Sequence, residues 1–316
     1  MKKFLAVTLA ALMALSMVAC TGTQDGGDNI GDYTPEQSEY ITDKGTFTFA
    51  EGAADTAVLV SYVGKATHND KVTVPAVFNG RPVAAIGEKA FYQLASVVSV
   101  QLPATVTVID DYAFSGCVNL SEITWKDEET GKTSTGNALP EGLETIGECA
   151  FYGCTAITEL DLGKSLEVID NFAFADCSEL TEAKLPSTTQ TVGDGAFWQC
   201  HALTEFNSNQ VKKIGTLALY DCTAIEKITL SNAIEEIGEF AFATESSTLK
   251  DKIDTDSFKD NDYVKKYYEN IADAVTTDDG ETTAGEEETT TADTTEAETT
   301  EPESEDVTTE AATTAA

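Results

Sequence analysis

Basic residues are scarce in this chain. Lys and Arg together number 19 against 55 Asp and Glu, for a formal charge of −36. A surface so short of cations repels phosphate backbones, which excludes nucleic acid as a partner. A basic protein, a cation or an uncharged glycan remains. Histidine is scarcer still: His68 and His201 are the only two, and neither shares a metal-ligand spacing with a cysteine. There is no Ser/His/Asp motif, no Gly-rich phosphate loop and no paired-histidine helix. Carboxylate pairs occur everywhere in so acidic a chain, so none singles out glycosidase chemistry. The sequence nominates no catalytic residue, no metal site and no cofactor, and the expectation is a protein that is not an enzyme.

Long apolar runs are also few. The only one lies in "MKKFLAVTLAALMALSMVA", where two lysines precede sixteen mostly apolar residues. That order of charge and hydrophobicity predicts a signal peptide over residues 1–19, too short for a membrane span and without a stop-transfer cluster. The following "SMVAC" resembles the lipobox of bacterial lipoproteins, with Met17 where leucine is usual. The resemblance implies that Cys20 is acylated and holds the chain on the extracellular face of a bacterial membrane. Residues 20–44 are polar and Gly/Asp-rich and read as a flexible spacer. Residues 276–316 hold fourteen acids, fifteen threonines and no base, too little apolar surface to offset chain entropy, so a disordered tail is expected.

Between these segments the sequence repeats itself. Phe91, Phe114, Phe151, Phe174, Phe197 and Phe242 each follow an alanine, at spacings of 23, 37, 23, 23 and 45 residues. The 37 is 23 plus a 14-residue insertion, "WKDEETGKTSTGNA" (125–138), expected to protrude as a charged hairpin with a Thr-Gly turn. The 45 contains one more unit, with Leu219 in place of phenylalanine. Cys117, Cys154, Cys177, Cys200 and Cys222 keep the same beat. A period in this range with apolar residues at fixed offsets predicts a leucine-rich solenoid. In "ITELDLG" (157–163), Leu160 and Leu162 alternate with Glu159 and Asp161, which describes a short strand with one buried face. "IGxxAF" is read as the return turn, its phenylalanine closing the far end of the core.

"LTEAKLPSTTQTVGDGAFWQC" (180–200) and "ITELDLGKSLEVIDNFAFADC" (157–177) are similar to the BspA-type class of leucine-rich repeats, found in bacterial surface proteins. The resemblance covers residues 72–243 or so, with Leu94 replacing the first cysteine and Gly163 and Asn209 replacing a proline. It implies a solenoid of stacked parallel strands over 86–250. The residues on either side read as caps. Over 45–85, runs of strand character with a turn at Asn79-Gly80 predict a β cap and a divergent first coil, "VTVP" aligning with "VQLP" (100–103). Over 251–275, Phe258, Tyr263, Tyr267 and Ile271 recur at helical spacing, predicting an amphipathic helical cap.

Three sets of residues are candidates for chemistry. The cysteines occupy equivalent slots about 4.8 Å apart, too far for a ladder of disulfides, and read as packing. Cys149 is off that ladder and is left open as a partner of Cys154. Aligning coils puts Glu122, Glu159, Glu182 and Glu205 in one outward row, with Asp161 and Lys184 in the row beside it. That acidic, concave face is the expected binding surface for an extracellular protein, solvated acids being the alternative. Tyr92, Tyr152, Trp198 and Tyr220 follow the phenylalanine slots. They read as core extension, with an edge that stacks glycans as the second reading. The functional expectation is recognition or adhesion at the cell surface, with a glycan-binding accessory protein or a structural envelope component as alternatives.

Overall fold

The structure is a computed structural model that describes residues 37–65, 70–244 and 248–275. The expectations for the signal peptide, Cys20, His68 and the tail lie outside the described residues.

Six strands precede the regular coils: β1 (Ser38–Ile41), β2 (Gly45–Glu51), β3 (Ala57–Gly64), β4 (Asp70–Thr73), β5 (Val77–Phe78) and β6 (Arg81–Ile86). Each coil then contributes two strands. One comes from the alternating stretch: β7 (Val97–Pro103), β9 (Glu122–Lys126), β11 (Glu159–Asp161), β13 (Glu182–Lys184), β15 (Glu205–Asn207) and β17 (Lys227–Thr229). The other is a pair of residues just before the coil glycine or aspartate: β8 (Val108–Ile109), β10 (Thr145–Ile146), β12 (Val168–Ile169), β14 (Thr191–Val192), β16 (Lys213–Ile214) and β18 (Glu236–Ile237). After the last coil comes the α-helix α1 (Asp262–Val275), the one α-helix among the described residues.

The short pairs build the larger sheet. It runs β1-β2-β3-β6-β8-β10-β12-β14-β16-β18, with β5 attached to β6. From β3 to β18 the neighbours on this path are parallel, Ile109, Ile146, Ile169, Val192, Ile214 and Ile237 forming one register. The alternating strands form three smaller sheets, β4-β7-β9, β11-β13 and β15-β17. The solenoid is as expected. Its second sheet is not, because a two-residue strand is too short to show alternation and exists only by hydrogen bonding to its neighbours.

The coil glycine is required by close approach rather than by its own torsions. A Cβ on Gly193 would sit 2.6 Å from the carbonyl carbon of Asp170 and 2.7 Å from the nitrogen of Asn171 in the preceding coil. Left-handed residues come two and six positions later, as at Cys149 (φ 52°) and Gly153 (φ 68°), or Phe172 (φ 53°) and Asp176 (φ 56°). These two kinks wind the turn so that alanine and phenylalanine point inward. The six phenylalanines are buried, and consecutive rings stack at 4.9 Å (Phe91–Phe114), 5.1 Å, 5.2 Å and 5.4 Å (Phe174–Phe197), within 8° of parallel. Burying each ring contributes about 1.5–3 kcal/mol. Leu219 interrupts the stack and is itself fully buried.

The cysteines settle into this spine as donors. Each thiol reaches the carbonyl of the phenylalanine one coil back: Cys117 to Phe91 at 3.0 Å, Cys154 to Phe114 at 3.2 Å, Cys177 to Phe151 at 3.2 Å, Cys200 to Phe174 at 3.1 Å and Cys222 to Phe197 at 3.0 Å. All five are free and buried, so Cys154 makes no bond with Cys149. Burial pushes every one of these thiols up, Cys117 to about 12.

The caps depart from expectation in detail. Ser38–Ile41, assigned to the spacer for its polarity, is strand β1, paired antiparallel with β2. Val72 faces Val100 as the "VTVP"/"VQLP" alignment requires, and Asn79 and Gly80 take φ of 50° and 80° in the β5–β6 turn. At the other end the helix begins at Asp262, because Thr255–Phe258 closes as a separate 3-10 turn. Asn261 starts it: its side-chain oxygen accepts from the Val264 amide while its nitrogen donates to the Ile234 carbonyl. Val264 and Phe258 are buried, but Tyr263 lies 42 % exposed, off the apolar face on which its spacing had placed it.

Candidate functional site

The candidate face is the outer side of β9, β11, β13, β15 and β17. Period-two alternation buries Ile123, Leu160, Phe206 and Ile228 and leaves Glu122, Glu159, Glu182, Glu205 and Lys227 exposed. Glu159 faces Glu182 directly across two parallel strands, with Asp161 facing Lys184, while Glu205 faces Lys227. Hydroxyls buttress the row, Thr181 donating to the Thr158 carbonyl at 2.8 Å and Thr204 to that of Thr181 at 3.1 Å. Lysines partly neutralise it, Lys184 lying 3.3 Å from Glu182 and Lys71 4.0 Å from Glu122, while Lys227 pairs at 3.6 Å with Asp254, outside the row.

Glu122 does not stand next to Glu159, as the alignment of coils had it. Strand β9 runs on through Trp125, which is buried, and Lys126, and the inserted residues turn as a hairpin with Lys126 bridged to Thr133. The chain then re-enters the sheet, Ala138 pairing in parallel with Asp161. This places Gly136 at the level of Glu159. The side chain of Asn137 completes the join, accepting from the Ile123 amide at 3.1 Å and donating to the Ser121 carbonyl at 2.9 Å. One extra strand-like segment therefore separates Glu122 from the other three glutamates. Lys132 ties the hairpin to Glu141, which Lys164 also holds; the two ammonium groups keep that carboxyl below the usual range.

The aromatic edge is mostly interior. Trp198 and Tyr220 are 3 % and 1 % exposed and pack with Ala175, Leu217 and Ala243 in a second apolar cluster over the turns. Their faces are closed to a sugar. Tyr152 is half-buried against the same cluster, and Tyr92 is half-buried, its ring edge-on to Tyr112 at 6.5 Å. Core extension is thus the correct reading for two of the four.

Two polar clusters on the turn edge escaped the sequence reading. Asp111 and Glu148 are both shifted upward, chiefly by burial, and Asp110, Asp170 and Glu88 add to the shift of Asp111. Tyr112, whose hydroxyl donates to Glu148 at 3.4 Å, is pushed up to about 12. The second pairs His201 with the buried Asp221 at 3.3 Å. Nothing in sequence spacing brings these groups together, because they meet only through stacking of turns one coil apart. Among the described residues no group of three His, Cys, Asp or Glu is arranged to hold a metal ion. Two clefts of about 180 and 100 Å³ lie among the described residues at the N-terminal cap and are small against the ~300–1,000 Å³ of ordinary ligand pockets.

Parallel strands stacked coil upon coil, each coil closed by a glycine turn and a phenylalanine, define a leucine-rich repeat solenoid. Residues 76–136 and 131–250 match the BspA type leucine rich repeat region in six copies, and the chain belongs to that family. Among solved structures it is similar to the leucine rich repeat protein of T. pallidum, with 25 % identity, a TM-score of 0.54, and coverage of 71 % of this chain and 92 % of that one. A leucine-rich repeat protein from Bacteroides ovatus is 23 % identical with a TM-score of 0.43, covering 66 % of this chain and 57 % of that chain. A leucine rich cell surface protein from Faecalibacterium prausnitzii is 22 % identical with a TM-score of 0.38, covering 70 % and 78 %. No curated protein matches the sequence.

Proposed function

We propose that the chain is a non-catalytic recognition or adhesion module of a bacterial cell surface, anchored through acylated Cys20, that holds a basic extracellular protein on the face of β11, β13 and β15. The observation that carries this reading is the direct pairing of Glu159 with Glu182 on exposed strands. Like charges opposed across a sheet destabilise it by a few tenths to about 1 kcal/mol. Lys184 relieves Glu182, but no ion pair relieves Glu159 or Glu205 among the described residues. A cationic partner surface would offset that repulsion and be steered toward it over a Debye length.

The test is a binding screen of the chain from Cys20 onward against extracellular matrix proteins, mucins and a glycan array. Glu159→Lys, Glu182→Lys and Glu205→Lys combined form the control. A protein hit that weakens with salt and disappears in the triple variant supports the reading. A hit that ignores both salt and the substitutions sinks it. Membrane fractionation of Cys20→Ser checks the anchor: the variant should leave the membrane fraction.

A further inference from the structure

The two ends of the solenoid are finished differently. At the C-terminal end, among the described residues, the outer edges of β17 and β18 are both met by the cap. The Tyr263 hydroxyl accepts from the Ile237 amide at 2.9 Å and the Tyr267 hydroxyl donates to the Gly238 carbonyl at 3.3 Å, closing β18. Ile253 bridges Ile228, and Ser257 accepts from the Leu230 amide, closing β17. At the N-terminal end Lys44 donates to the Lys71 carbonyl on β4. Strand β1, the last of the long sheet, is paired on one side only among the described residues.

Its open side is regular. The Thr42 amide donates to the Gly45 carbonyl, and pairing with β2 matches Tyr40 to Phe47 and Ser38 to Phe49. By antiparallel alternation, Glu39 and Ile41 therefore aim their N–H and C=O groups outward. Tyr40 and Ile41 are 46 % and 69 % exposed, unusual apolar content for a free edge, which proteins ordinarily blunt with charge or proline. Tyr40 is also the terminus of the aromatic spine. Its ring lies 6.5 Å from Phe47, Phe47 lies 4.8 Å from Tyr62, and Tyr62 lies 5.5 Å from Phe91.

We infer that β1 pairs with β1 of a second copy of this chain, antiparallel about a two-fold axis at Tyr40. The parity fits. With Tyr40 facing Tyr40 of the second copy, Glu39 and Ile41 meet as hydrogen-bonded pairs, giving four main-chain bonds, and no glutamate opposes a glutamate. The two tyrosines occupy the close, non-hydrogen-bonded position and carry the aromatic spine from one molecule into the next. The sealed C-terminal edges rule out head-to-tail stacking through the sheet, so the contact closes as a dimer instead of growing into a fibre. So short an interface is weak and concentration-dependent.

The experiment uses the full chain carrying Tyr40→Cys, oxidised with copper–phenanthroline, with the parent chain, Glu39→Cys and Asp260→Cys alongside. Opposed residues at a non-hydrogen-bonded position have Cα atoms about 4.5 Å apart, within disulfide reach. Tyr40→Cys is expected to give a covalent dimer that the other three do not. Adding Ile41→Pro should abolish it with the thermal midpoint unchanged, since among the described residues the Ile41 amide points away from β2 and makes no bond. Sedimentation equilibrium of the parent chain should show mass rising toward the dimer with concentration. Equal cross-linking at Tyr40 and Asp260, survival of the cross-link in the proline variant, or a strictly monomeric parent chain would each overturn the inference.

Discussion

Removing one ring from the middle of the spine should cost far more than removing one from its end. Phe174 is 1 % exposed, its ring 5.2 Å from Phe151 and 5.4 Å from Phe197, both near-parallel. Phe174→Ala forfeits the transfer energy of the ring and leaves a cavity that rigid coils on both sides cannot close, about 3–5 kcal/mol. Stacking with two neighbours pushes the value to the upper part of that range. Set against a whole-domain stability of roughly 5–15 kcal/mol, that is a third or more. Phe174→Leu should cost only about 1–2 kcal/mol, because Leu219 fills the equivalent slot with no exposed surface. Phe242 stacks on no coil phenylalanine and meets Tyr267 edge-on at 6.1 Å, so Phe242→Ala should fall below Phe174→Ala. The assay is urea unfolding followed by far-ultraviolet circular dichroism and by tryptophan fluorescence. Coincident curves with unchanged slope license the comparison, and a reduced slope in Phe174→Ala would mean the two halves have uncoupled. A Phe174→Ala cost below about 1 kcal/mol, or one no larger than that of Phe242→Ala, would refute the spine as the seat of stability.

The five ladder thiols should resist labelling by a thiol-disulfide reagent in the native protein at pH 8 and react fully in denaturant. With Cys117 pushed up to about 12, only about one thiol in ten thousand is ionised there, and rapid native labelling would contradict their burial. Asp111→Asn should raise the melting temperature at pH 7. The substitution keeps the acceptor for the Glu148 amide, as Asn171 does two coils later for the Asp194 amide, while removing a carboxylate whose charged form is disfavoured by burial and by Asp110, Asp170 and Glu88. The sign follows from proton uptake: a raised native pKa means the unfolded chain binds fewer protons above the ordinary carboxylate range, so that range upward is where the wild type loses stability. Melting curves of the two proteins should converge as pH falls to about 4, and a gap independent of pH would show the carboxylate's charge to be irrelevant. Gly193→Ala should cost about 1–3 kcal/mol by driving a methyl into the Asp170–Asn171 backbone, and a neutral result in the same urea assay would mean the coils are not packed as described.

The parts of this fold that could be read from sequence are those in which one residue type reports one environment. Phenylalanine after alanine every 23 residues admits only a buried, stacked slot, and cysteine in register with it admits only a small apolar one. The second sheet offered no such signal, since its two-residue strands, such as Val108-Ile109 and Lys213-Ile214, share only the buried Ile or Val and vary freely at the other position. Trp198 and Tyr220 were legible as core extension, but what covers them was not, because that cover comes from left-handed turns such as that at Leu217 (φ 58°), a conformation leucine's chemistry does not advertise. The glutamate row shows the same limit at the site itself. Counting by 23 aligns Glu122 with Glu159 once fourteen residues are set aside, and it treats the inserted residues as lying wholly outside the sheet. Instead the chain leaves after Lys126 and returns by way of Asn137 and Ala138, inserting backbone between the two acids. Periodicity specifies which side of a strand a residue takes. The spacing between strands is set by where an insertion rejoins the ladder, and here an asparagine amide bonded to Ser121 and Ile123 makes that join.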